Sequence, residues 1–225
     1  MNLFEKFHIE TDNEDLYEIA FTHSSYGIVH NLNYTYERLE FLGDSILSLI
    51  VTEYLYKKYP QYGEGNLTKL RANYVCQNAL IHYSNELNLR QYLKVCPDEL
   101  NLSDNEIISI TADVVESFLG AMFLDQGIDF TRNFISEVIF KYIDAEKVFF
   151  KDYKSQLKEY GDSNELYIEY NVLEESGVPH DKIFKVVCLL NNQDFGIGVG
   201  KNKKEAEQVA AKETLNKLKS GESNE

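Results

Sequence analysis

The chain has 225 residues, 44% of them hydrophobic, enough apolar material for one or two units with substantial cores. Its 37 acids against 22 Lys and Arg give a formal net charge of −15 and a pI near 4.8, so its overall charge repels a polyanion. Cys76, Cys96 and Cys188 are odd in number and widely spaced, which argues against a disulfide framework or a zinc knuckle. No apolar run approaches the roughly 20 residues of a membrane span, and the first residues lack the order of a signal peptide, so a soluble, cytoplasmic protein with no membrane partner is expected.

In chain order, residues 22–26 (Thr-His-Ser-Ser-Tyr) precede the first informative segment, residues 37–47 (Glu-Arg-Leu-Glu-Phe-Leu-Gly-Asp-Ser-Ile-Leu). At helical spacing Glu37, Glu40 and Asp44 fall within about 60° of one another, with Leu39, Leu42, Ile46 and Ile50 on the opposite side. One face packs and the other presents oxygens. Phe41 lies beside the carboxylate face, away from the main apolar stripe, where a large aromatic fits either an interface plug or an ordinary core position. Residues 64–72 (Glu-Gly-Asn-Leu-Thr-Lys-Leu-Arg-Ala) follow. A segment at 107–123 is apolar nearly all round, as a buried helix is, yet it contains Asp113 and Glu116 on one face.

An acidic stripe on a helix is usually a solvated face. Here the second segment has too little polar surface to be exposed, so its acids need partners inside the bundle. Five carboxylates crowded in a partly dry place repel one another or take up protons unless a cation holds them ionised. With no His or Cys among them, oxygen-only ligation suits Mg2+ or Mn2+, and the chemistry implied is metal-assisted hydrolysis at phosphate.

Helical patterns end near residues 143–144, and a short linker is expected at 146–151. The second unit opens with a short helix from Tyr153 that the sequence stops at Gly161. Strands are predicted at 166–173, 183–190 and 194–200, with an Asn-Asn-Gln turn before the last, and a closing helix runs from Lys203 to about Leu218. Lys201, Lys203 and Lys204 gather at that helix's N-terminus, where ammonium groups, free N–H groups and the dipole attract phosphate. Gly196, Gly198 and Gly200 lie on a strand and lack the context of a nucleotide loop. Residues 220–225 are expected to form a disordered tail.

The segments at 22–26, 37–47, 64–72 and 113–116 match the ribonuclease III family in order and spacing, and the chain resembles that family over nearly its whole length. Tyr36 departs from it, standing where the family commonly has Asn. The second unit resembles a double-stranded RNA-binding domain, although residues 161–166 are short and lack the prolines common there. The resemblance implies an all-α endonuclease domain at 1–148 followed by an α+β (α-β-β-β-α) binding domain at 152–219. It implies divalent-metal cleavage of double-stranded RNA by a homodimer, leaving 5′-phosphate and 3′-hydroxyl ends with a short 3′ overhang, in ribosomal precursors and structured transcripts. Carried over by position, Glu40, Asp44, Asp113 and Glu116 are the metal acids, with Asp44 and Glu116 closest to hydrolysis and Glu37 and Glu64 supporting. Gln156 and Glu159 would meet one minor groove and His180 the next, with the three lysines on phosphates. A non-catalytic RNA-binding regulator and a helical metal protein acting on another phosphate ester are the alternatives.

Overall fold

The structure is a computed structural model, and it describes residues 3–96, 102–150, 152–178 and 181–220. The chain divides into two compact units, Met1–Phe150 and Lys151–Glu225.

The first unit is helical: α1 (Leu3–Phe7), α2 (Glu14–Ala20), α3 (Ser24–His30), α4 (Glu37–Lys58), α5 (Glu64–Val75), α6 (Gln77–Leu87), α7 (Asp104–Ile135) and α8 (Lys141–Asp144). A 3-10 turn follows α6, and a π turn at Ser136–Phe140 leads into α8. At the start of α7 the Ser103 side chain accepts from the Glu106 N–H while the Glu106 carboxylate accepts from the Ser103 N–H, a reciprocal cap that satisfies two otherwise orphan donors. Gly127, at φ 80°, breaks α7 into two helical stretches.

α4 and α7 form the centre. Leu47, Ile50, Val51 and Leu55 of the first share one buried core with Val114, Val115, Phe118, Leu119 and Met122 of the second. Phe118 has the rings of Phe7, Tyr17, Phe21 and Phe134 at 5.3 to 6.1 Å, the spacing of favourable tilted and edge contacts. By length and mean hydropathy the stretch Glu106–Asp144 qualifies as a membrane-crossing helix, although charged residues interrupt its apolar run. Since 61% of its most apolar window is buried inside the molecule, it reads as the core helix of the bundle.

Residues 146–150, expected as a linker, are bound to the helical unit. The Asn73 side chain donates to the Lys147 carbonyl (2.8 Å) and accepts from the Phe149 (2.8 Å) and Phe150 (2.9 Å) N–H groups. The Phe149 ring sits against His82, Tyr83 and Tyr142 at 5.2 to 5.6 Å.

The second unit runs α9 (Tyr153–Asn164), β1 (Ile168–Val178), β2 (Asp181–Leu190), β3 (Gln193–Gly200) and α10 (Lys203–Ser220), and the strands form an antiparallel sheet in the order β1-β2-β3. Asn191 and Asn192, both at positive φ, make the two-residue turn between β2 and β3, the left-handed pair whose twist suits a hairpin. α9 does not stop at Gly161. That residue is buried and helical, with room beside Ile168 for no side chain at all, and the helix ends at Glu165 in the left-handed conformation. β1 continues beyond 173 through a bulge between Val172 and Glu174. Gly196, Gly198 and Gly200 face α10, where an added Cβ would lie within 2.5 Å of the helix, so they serve close packing against Ala206, Ala210 and Thr214. The three cysteines are free thiols. Of the tail expected at 220–225, Ser220 is the last residue of α10, and residues 221–225, like His180, lie outside the described residues.

Candidate active site

The two acidic segments meet because the backbones of α4 and α7 touch. A Cβ on Gly43 would fall 1.7 Å from the Glu116 carbonyl oxygen, and one on Gly120 would fall 2.2 Å from the Leu39 carbonyl oxygen. Only hydrogen fits at either place. Gly43 immediately precedes Asp44 and follows Glu40 by three residues, while Gly120 lies about one turn beyond Glu116, so the crossing sets both acid pairs beside it. Sequence reasoning passed over these two glycines. The available signal was an isolated glycine inside each helical pattern, which lowers helix propensity and needs a packing reason.

The charges report the same proximity. Glu116 is 9% exposed, and its carboxyl is pushed up to about 8, first by burial and then by Asp44, Glu40 and Asp113. Glu40 is pushed up to about 7, again first by burial and then by Asp113, Glu37 and Asp44. Burial also raises Asp113, against a hydrogen bond from Tyr36. Carboxylates that disfavour one another's ionisation in a half-dry place form a cation-accepting set. Among the described residues no three His, Cys, Asp or Glu already stand close enough to enclose an ion. The acids are gathered yet not closed around a point, and their all-oxygen chemistry and pooled repulsion fit a hard divalent cation.

Tyr36 completes this ring. Its buried phenol donates to Asp113 Oδ2 at 3.1 Å, and its ring lies 5.6 Å from that of His23. Burial and the Asp113 charge hold the phenol well above its ordinary value, so it stays a donor. Burial keeps His23 below its usual value, and its Nδ1 accepts from the Ser25 N–H at the start of α3.

The remaining positions separate. Glu37 is exposed, accepts from the Thr35 hydroxyl and contributes to the field at Glu40. Glu64 is exposed in the first turn of α5, where it accepts from the Thr68 hydroxyl at 3.1 Å, and no interaction joins it to the four central acids among the described residues. Phe41 is 78% exposed and shares the outer side of α4 with Leu49 and Tyr56. In the second unit Gln156 and Glu159 are exposed on α9. Asn202 accepts from the Glu205 N–H (2.9 Å) at the start of α10, placing exposed Lys201, Lys203 and Lys204 around that end. Lys154, Lys182 and Lys217 each pair with a glutamate, whereas among the described residues no salt bridge neutralises those three.

Residues 13–143 match the family described as ribonuclease-III-like, and residues 153–218 match the double-stranded RNA binding motif. With the fold, these matches define a helical nuclease that carries its own module for duplex RNA. Over 222 residues the chain is 45% identical to a protein named ribonuclease 3 from Geobacillus sp. (strain WCH70), covering 96% of this chain and 90% of that one. It is 42% identical to ribonuclease 3 of Latilactobacillus sakei over 95% of each. The solved nuclease domain of ribonuclease III from Campylobacter jejuni, described for flexibility in a region involved in dimer formation, is 35% identical. It superposes with a TM-score of 0.56, covering 62% of this chain and 94% of that one. The chain belongs to the ribonuclease III family and is a double-stranded RNA endonuclease.

Proposed function

We propose that the chain cleaves double-stranded RNA by divalent-metal-dependent hydrolysis at the acids gathered by the Gly43–Gly120 crossing, with Mg2+ as the cation and Mn2+ able to replace it. The observation that carries this reading is the backbone contact that sets Glu40 and Asp44 beside Asp113 and Glu116. These four would hold the metal, with Asp44 and Glu116 nearest the hydrolytic step and Glu37 and Glu64 supporting. Bound there, the metal would lower the pKa of a water and neutralise charge growing on the phosphate. The chain's own part is to gather the carboxylates and manage their protons. Burial and mutual repulsion push Glu40 up to about 7 and Glu116 up to about 8, so a cation held there would release protons from them. In the reaction, water oxygen bonds to phosphorus and the P–O3′ bond breaks. The leaving oxygen takes a proton, giving a 3′-hydroxyl and a 5′-phosphate.

The catalytic domain would occupy 1–148 and the binding domain 152–219. The binding domain would meet minor grooves through Gln156, Glu159 and His180 and phosphates through Lys201, Lys203 and Lys204. Two chains, joined in part through exposed Phe41, would cut opposite strands and leave a short 3′ overhang. Ribosomal precursors and structured transcripts in the cytoplasm are the substrates this reading assigns. The test is cleavage of a long perfect RNA duplex with Mg2+, comparing wild type with Glu116→Gln. Metal-dependent shortening by wild type, with binding but no cutting by the variant, is expected. Binding without cleavage by both proteins would defeat the reading.

A further inference from the structure

Tyr36 touches both halves of the acid cluster through different parts of itself. Its main chain starts α4: the N–H donates to the Thr22 carbonyl (2.9 Å), and the carbonyl accepts from the Leu39 (2.8 Å) and Glu40 (2.9 Å) N–H groups. Its side chain points the other way and ends on Asp113 of α7, 77 residues along the chain. The ring is 3% exposed and lies against His23, so it has little freedom to swing. One residue therefore fixes the helix start that carries Glu40 and also one oxygen of Asp113.

A carboxylate with a donor on one oxygen offers the other. Ligating groups are commonly held this way by a second partner, which sets their direction and reduces the ordering needed when the ion arrives. We propose that Tyr36 is a positioning residue for metal binding, its phenol holding Asp113 Oδ2 so that Oδ1 is the oxygen presented to the cation. This rests on the reading of Asp113 as a metal ligand. An Asn at position 36 lacks the length of the phenol that spans from the start of α4 to Asp113.

The test uses the full chain without RNA and titrates Mn2+ directly, following the free ion by electron paramagnetic resonance. Tyr36→Phe keeps the ring contacts and removes only the hydroxyl. Tyr36→Asn removes the reach and puts a residue suited to a helix N-cap in its place. Asp113→Asn removes the proposed ligand's charge. Titrations run well below each variant's melting midpoint, so loss of fold cannot pass for loss of metal. Both Tyr36 variants are expected to bind Mn2+ about tenfold more weakly than wild type. Excess metal should restore cleavage by Tyr36→Phe and leave Asp113→Asn inactive. Wild-type affinity in Tyr36→Phe, with affinity lost in Asp113→Asn, would overturn the role of Tyr36. Equal affinity in wild type and Asp113→Asn would instead remove the metal-site reading on which it stands.

Discussion

Replacing Gly43 with alanine tests whether the helix crossing builds the site. The new Cβ would lie 1.7 Å from the Glu116 carbonyl oxygen and 2.5 Å from the carbonyl carbon, where ordinary contact begins at 3.4 Å. The obstacle is backbone, so no side chain can swing aside, and the helices must part locally by about 1.7 Å, a strain at the upper end of overpacking at about 3 kcal/mol. In a unit of this size that corresponds to a fall in Tm of about 6–12 °C. The displacement acts directly on Glu116 relative to Glu40 and Asp44. A misplacement of about 1 Å can cost about a hundredfold in rate, so kcat/KM for duplex cleavage should fall by at least that much. Differential scanning calorimetry and a duplex-cleavage assay read the two effects. Gly120→Ala strains the same crossing from the other side, with its Cβ 2.2 Å from the Leu39 carbonyl and 3.3 Å from the Gly43 nitrogen. Added to Gly43→Ala it should cost much less than it does alone, because neighbouring sites are not additive. A Gly43→Ala protein melting within about 2 °C of wild type and cleaving within about threefold would refute the argument.

Three further outcomes are expected. Glu40 at about 7 and Glu116 at about 8 hold protons in the folded state that the unfolded chain releases, so stability present at mildly acidic pH is lost as pH rises through these values. In EDTA the Tm should therefore fall between about pH 4.5 and 8, and Glu116→Gln should flatten that fall; a slope unchanged by the substitution would place the protons elsewhere. Phe41→Ala should shift sedimentation toward monomer, and unchanged association would show that this exposed ring is no anchor. Replacing Lys201, Lys203 and Lys204 together with alanine should weaken duplex binding and lower the slope of log affinity against log salt by about two to three, and an unaltered slope would place the lysines away from phosphate.

The parts legible in the sequence were those set by local spacing. The joint face of Glu40 and Asp44, the one-turn pair of Asp113 and Glu116, and the Asn191–Asn192 turn all follow from helical periodicity or turn chemistry acting over a few residues. What was not legible depends on partners distant in the chain. Gly161 looks like a helix stop by local rules, but its place against Ile168 keeps it helical. Gly43 and Gly120 look like weak points in two helices until the helices are laid across each other. The Tyr36 phenol finds Asp113 across 77 residues, and no local pattern announces it. Asn73 likewise holds residues 147–150 against the helical unit, where their composition suggested only a short linker.

Distribution answers the overall acidity that first argued against a polyanionic partner. Residues 1–150 hold 23 acids against 11 bases, and the second unit holds 14 against 11. Within the first unit burial and mutual repulsion push Glu116 up to about 8 and Glu40 up to about 7, so the acids at the crossing carry less than their full formal charge near neutral pH. The formal count thus overstates the charge an approaching phosphate would meet there, and metal would lower it further. In the second unit several lysines are neutralised by neighbouring glutamates, while the three around the start of α10 stand beyond such pairs among the described residues. A Debye length of about 8 Å confines each charge to its own neighbourhood, so Lys201, Lys203 and Lys204 at the helix N-terminus, with Glu205 among them, act locally on a duplex and not through the net charge of −15. The same reasoning requires that binding weaken steeply with salt, because the favourable field is short in range and the opposing charge surrounds it.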